Sequence, residues 1–227
     1  EVGFPRRETI LASLSMISSG QDPISYNFSY KSPVMNKEKN IFLGFKVVKQ
    51  SNSKQETTTS YLYTQNLQSL PTKIVAIDKN SPEVFKIKLN DYSGVHYKNF
   101  DSMALKKSID GFNSSVDKIA SWKEENFEYD QNLCTKKKTT NTQYGTLTSV
   151  YKFFKNDLLG SYNICFVSSI AYEGRHANHP NYDFSSMASI ERNAIGLVTK
   201  ILMDDYLKQS VEYDDQYRIS ALETGSD

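Results

Sequence analysis

The sequence predicts an α+β fold: a mostly antiparallel sheet packed against two long helices and a short N-terminal one. Three observations carry this. The first ninety residues hold several short runs of alternating apolar and polar residues joined by short polar links, the pattern of a sheet too closely connected for parallel crossovers. Two later stretches, Ser102–Trp122 and Ser185–Lys208, place apolar residues at steps of three and four, the period of a helix face. A nearly continuous apolar run within 161–172 has the look of an inner strand.

Each element follows from its local pattern. Over residues 7–19, Ile10, Leu11, Leu14 and Ile17 recur at helical spacing before Gly20 and Pro23 stop the run. Strands are expected at 24–30, 41–48, 57–64, 72–77 and 84–89. Residues 41–48 point Ile41, Leu43, Phe45 and Val47 one way, and 84–89 set Phe85, Ile87 and Leu89 against Lys86 and Lys88. Thr and Tyr crowd 57–64, as suits a pleated surface. The polar stretch 50–56 reads as the turn between two of these strands.

In 102–122 the apolar positions are Leu105, Ile109, Phe112, Val116 and Ile119, with Gly111 weakening the helix but not breaking it. Residues 132–142, with three consecutive lysines among threonines, read as an exposed loop, and 146–154 fits either strand or helix. The last long helix would bury Met187, Ile190, Ala194, Leu197, Val198, Ile201 and Leu202, leaving a loosely held C-terminal tail. We read 1–227 as one such domain, its rival being two sub-lobes, 1–100 and 101–227, and find no internal repeat.

Composition narrows the function classes. Hydrophobic residues make up 38% of the 227, with 15 Tyr and 12 Phe, enough to bury and too many for a disordered chain. Net charge is only +1 but unevenly spread: residues 1–55 carry eight Lys/Arg against four Asp/Glu, and 203–227 carry seven acidic groups against two basic. A basic front half points toward RNA or an acidic partner. No apolar stretch is long enough for a membrane-spanning helix. The first residue is Glu rather than Met, and two sequons begin at Asn27 and Asn113; with the cysteines, these favour a secreted glycoprotein. Cys134 and Cys165 either bond or remain buried thiols, and spacing does not choose between them.

Candidate chemistry concentrates in 172–183, where Glu173, Arg175, His176, His179 and Asp183 fall within one loop. Imidazole titrates in the range for a general acid or base, and an arginine fork stabilises a developing phosphorane. A following helix would add an N-terminal anion site. His176, His179, Glu173 and Arg175, with the distant Glu8, therefore make a candidate set for metal-independent RNA cleavage by transesterification. The spacing does not match a zinc-protease helix, and no phosphate-binding loop, dinucleotide fingerprint or nucleophile elbow is present. We expect no cofactor and no metal. The leading expectation is a secreted, toxin-like endoribonuclease with RNA as partner. The alternative is a non-enzymatic secreted protein, a binder or inhibitor, engaging a protein or glycan through a Tyr/Thr-rich sheet face.

Overall fold

The computed structural model describes residues 10–16, 23–64, 68–97, 100–115, 118–154 and 165–225. They form antiparallel sheet, and no α-helix occurs among them. The strands are β1 (Ser13–Met16), β2 (Ile24–Asn36), β3 (Ile41–Ser51), β4 (Gln55–Tyr63), β5 (Ser69–Asp78), β6 (Ser81–Tyr97), β7 (Phe100–Ser115), β8 (Lys118–Tyr129), β9 (Thr135–Thr142), β10 (Gly145–Phe153), β11 (Val167–His176), β12 (Phe184–Arg192), β13 (Val198–Met203), β14 (Tyr206–Tyr213) and β15 (Ile219–Thr224). The chain divides into two compact units, Glu1–Lys123 and Glu124–Asp227, with the boundary inside β8.

The α+β expectation is thus corrected, and the reason is visible strand by strand. Residues expected as one helix over 102–122 are β7 and β8. A bulge sets Asp91 opposite Lys107 but Tyr92 opposite Leu105, which sends Leu105 and Ile109 to opposite faces. Phe112 lies opposite Lys86 and Ile109 opposite Leu89, again on opposite faces. The three-and-four spacing is therefore apolar residues distributed over both sides of a bulged strand. The expected helix over 185–208 is β12, a turn, β13, a second turn and the start of β14. The expected loop at 132–142 contains β9, the ambiguous 146–154 is β10, and the tail is a hairpin of β14 and β15. Of the expected helix at 7–19, Ser13–Met16 is β1, while 7–9 and 17–19 lie outside the described residues.

Within the first unit, β1 to β7 each pair with the next strand in sequence. Directly opposite residues share a face. That rule gathers Val75 with Ile87, Ile77 with Phe85 and Leu89 with Ile109 on one side. Pro71 lies inside β5, where it has no N–H to donate. The pairing of β5 with β6 stops at Lys73 opposite Leu89, short of Pro71. The Pro71 carbonyl instead accepts from Asn90 Nδ2 (2.9 Å) and the Tyr92 hydroxyl (3.0 Å), and Ser108, only 2% exposed, donates to Asn90 Oδ1 (2.9 Å). Burial pushes the Tyr92 hydroxyl above its ordinary pKa, keeping it a donor.

The same device recurs where three other pairs of strands part. Tyr63 donates to the Phe45 carbonyl (2.9 Å) beyond the end of the β3–β4 ladder, and Tyr213 to the Val198 carbonyl (2.9 Å) beyond the end of β13–β14. Tyr30 does likewise for Leu11 (2.6 Å). Gly44 is a glycine because a Cβ there would stand 2.4 Å from the Tyr63 hydroxyl oxygen.

In the second unit, β9 to β15 pair in sequence order. Three turns on one edge of this meander are built alike. In Asp130–Cys134, Asn193–Leu197 and Asp214–Arg218 the first side chain's Oδ1 accepts from the backbone N–H groups two and four residues on. The fourth residue, Leu133, Gly196 or Tyr217, takes a positive φ of 62°, 90° or 60°. Cys134 in the first of these turns bonds to Cys165, just before β11 on the same edge. The loop it closes spans 31 residues and confers about 3–4 kcal/mol in the chain-entropy treatment. On the opposite edge, Asp204 and Asp205 both take positive φ, the backbone of a two-residue hairpin turn whose twist suits antiparallel strands.

Two predictions follow from this bonding. Tyr213→Phe strips the Val198 carbonyl of its donor and leaves the packing ring, so urea denaturation should show a loss of about 1–2 kcal/mol. The Arg218 backbone N–H and guanidinium together hold the Asp214 carboxylate below its ordinary 3.8, as backbone and hydroxyl donors at Met187 and Ser186 do for Asp204. A depressed folded pKa means the stabilisation is complete above that ordinary value and lost as pH falls through the folded one. Amide protection factors in the β14–β15 turn, taken relative to intrinsic exchange, should therefore fall only below the ordinary 3.8, and Asp214→Asn should remove the transition.

Candidate functional site

The loop singled out in the sequence joins β11 to β12 on the edge opposite the three like-built turns. Its order comes from its own backbone. The His176 N–H donates to Asp183 Oδ1 (2.8 Å), which closes the loop at its base. His176 Nδ1 accepts from the N–H groups of Asn178 (3.2 Å) and His179 (3.1 Å). Pro180–Tyr182 makes a single 3₁₀ turn, and the Ala177 N–H reaches the Tyr144 carbonyl (2.8 Å) in the neighbouring β9–β10 turn. With both lone-pair contacts on Nδ1, the neutral imidazole carries its proton on Nε2.

The strand period separates the candidate set. Glu173 and Arg175 alternate with Gly174 and His176, so the ion pair lies on one face of β11 and the His176 ring on the other. Arg175 Nε and Nη2 both donate to Glu173 Oε1 (3.0 and 2.5 Å), which raises the guanidinium pKa, and both side chains are exposed. An exposed pair of this kind adds little to stability. The two histidines do come together: their ring centroids are 5.0 Å apart, and each meets the Tyr182 ring edge-on, at 6.0 and 5.8 Å. Glu8 lies outside the described residues. The expected helix after the loop is strand β12, so the dipole and free amides of a helix N-terminus are not available to an anion. Among the described residues no three His, Cys, Asp or Glu side chains cluster as metal ligands.

What the loop does border is a groove of about 350 Å³. It lies over two successive cross-strand rows. One row is Thr140, Leu147, Gly174 and Phe184; the next, nearer the edge, is Thr142, Gly145 and His176. Each row has a glycine where a side chain would fill the space. At Gly174 a Cβ would meet the Phe184 ring at 2.1 Å, which shows that ring lying across β11 as the floor. At Gly145 (φ 151°) it would strike the Arg175 carbonyl oxygen at 2.0 Å. Tyr144 and Tyr182, 68% and 71% exposed, complete the lining.

Among solved structures, the chain is similar to the crystal structure of TcdB2-TccC3-TEV, with a TM-score of 0.51 over 86% of this chain at 6% sequence identity. The likeness is one of fold. The match spans 15% of the length of that chain. No protein-family model matches the sequence. Comparison with curated proteins also gives no match.

Sequence reasoning found the histidines but missed the groove that they border. The signals were Gly174 inside an otherwise strand-like run and the Tyr144-Gly145 pair at a turn. Glycines in strands mark close approach of another group. His176→Ala removes the acceptor for two loop amides. It should raise hydrogen-exchange rates at Asn178 and His179 by about tenfold, in keeping with roughly 1–2 kcal/mol of local hydrogen bonding, while leaving β14–β15 unchanged.

Proposed function

We propose that this chain is a non-enzymatic β-sheet scaffold, a wall that engages a protein partner across one of its faces. The observation that carries this is the burial pattern. Among the described residues only Cys134, Ala188 and Val211 are buried apolar side chains, although the composition is rich in Tyr, Phe and Ile. A sheet with an apolar face reaches a stable layer architecture only when another layer covers it. In the second unit the face bearing Tyr151, Ile170, Tyr172, Ala188, Ile190, Ile201 and Met203 stays only part-covered along β10 to β13. In the first unit the same holds for the face bearing Val75, Ile77, Phe85, Ile87 and Leu89. The fold likeness to a stretch of a far longer chain agrees with a sheet that works as part of a larger construction. The disulfide, and the absence among the described residues of a helix long and apolar enough to cross a membrane, are compatible with secretion.

The separation of Glu173 and Arg175 from His176 argues against a single catalytic centre in the loop. Incubating total RNA with the protein, with and without chelator, decides between scaffold and nuclease. The expected result is intact RNA in both arms. Chelator-resistant cleavage that disappears in a His176→Ala, His179→Ala double variant would sink the scaffold reading. The scaffold reading also expects a hydrophobic dye such as ANS to bind the native protein. Ile201→Glu, placed on the part-covered face, should lower that binding at least twofold.

A further inference from the structure

The groove beside the histidine loop is shaped and lined for a small ligand, and the observations point to its chemistry. Its floor is the Phe184 ring lying over Gly174, and its edge is marked by two exposed tyrosines, Tyr144 and Tyr182. Tyr182 is not a freely swinging side chain: the His176 and His179 rings meet it edge-on from one side. The His176 imidazole is fixed in turn by the loop, because its Nδ1 accepts from two backbone amides. Aromatic rings placed in advance in this way lose little freedom when a ligand arrives.

Charge chooses among ligands with a flat face. Arg175 is the one Lys, Arg, Asp or Glu in the lining, and it borders the groove through its backbone carbonyl, its guanidinium being paired with Glu173 on the other face of β11. Asp183 at the base of the loop acts on the same guanidinium, so the Glu173–Arg175–Asp183 cluster holds no excess of positive charge. A polyanion is therefore unwelcome, and an uncharged ligand is matched. Aromatic faces carry partial negative charge that suits C–H groups presented edge-on, and Thr140 and Thr142 bring hydroxyls to the same surface. The indole N–H that proline-rich ligands commonly use is not in the lining, since the chain's one Trp is Trp122 in β8. Pyranose rings offer an axial C–H face and a hydroxyl rim, the pairing this groove presents.

We propose that the Tyr144–Tyr182–Phe184 groove is a binding site for an uncharged saccharide, with Phe184 and Tyr182 as its stacking platforms and His176 and His179 as positioning residues for Tyr182. This goes beyond the scaffold reading and stands apart from it, since a scaffold needs no sugar and survives the loss of this site.

The test is calorimetric or NMR titration of the intact chain with neutral hexasaccharides: β-linked glucose, β-linked N-acetylglucosamine and α-linked mannose. A proline-rich peptide and a single-stranded RNA serve as comparison arms. One of the sugars should bind with Kd of about 0.1–1 mM, an ordinary strength for a small exposed site. Tyr182→Ala should weaken it at least tenfold. Gly174→Ala should do the same by pushing the Phe184 ring off the floor. Met187→Ala, on the opposite face, should leave affinity within twofold, and circular dichroism should match wild type for all three. No sugar binding, binding unchanged by both Tyr182→Ala and Gly174→Ala, equal loss in Met187→Ala, or binding confined to the peptide or the RNA would each overturn the proposal. A variant that loses its sheet signal is replaced by Phe184→Leu, which removes the aromatic face while keeping bulk, and the same tenfold loss is required of it.

Discussion

Backbone hydrogen bonding between strands that are neighbours in sequence is the constraint on which everything else in this protein rests. A conventional domain relies on a buried core, and its ladders are secondary to the packing of two layers. Here the described residues hold few buried apolar side chains, so correct register has to come from the turns and from the ladder itself. The three like-built turns show how. One Asx side chain binds two backbone amides, and one residue takes the left-handed region, so the strands on either side leave at fixed alignment. Each turn is local, needs no distant partner, and can be repeated along an edge without limit.

Where the ladder opens, tyrosine closes it. Tyr30, Tyr63, Tyr92 and Tyr213 each donate a hydroxyl proton to a backbone carbonyl, for Tyr63, Tyr92 and Tyr213 one that lies beyond the last paired residue. An unpaired carbonyl in a half-covered sheet costs free energy, and a tyrosine is long enough to reach it while its ring covers the gap. This gives four of the chain's 15 tyrosines a structural meaning. It also separates these rings from Tyr144 and Tyr182, which stand exposed at the groove.

Strands β2 to β6 were legible because 84–89 alternates cleanly and no competing period fits the others. The expected common face of Ile41, Leu43, Phe45 and Val47 is nevertheless broken by a bulge at Leu43, which puts Phe42 and Phe45 on one side and Ile41 on the other. The region from 102 onward was not, and the cause lies in particular residues. In β7 a bulge at Lys106 reverses the facing of Leu105 relative to Ile109, so a period of two is broken into one that imitates 3.6. Between 185 and 208 the turn signals were present as Asn193, Gly196 and the Asp204-Asp205 pair, yet each is also tolerable within a helix. Only the recurrence of one turn form at Asp130, Asn193 and Asp214 settles the matter, and its intervening residues share no sequence. The loop histidines were legible as a cluster, but the face to which each neighbour points depends on β11 being a strand up to His176.

That last point changes what a histidine pair means. In a loop leading to a helix, imidazole, guanidinium and carboxylate all converge on one space, and proton transfer is the natural reading. In a hairpin loop, alternation sends Arg175 and Glu173 to the far side, and His176 spends its Nδ1 lone pair on two backbone amides. The group left pointing outward from this arrangement is Tyr182. Two titratable rings meet an aromatic one edge-on, and in the proposed reading the residues that suggested chemistry support a surface.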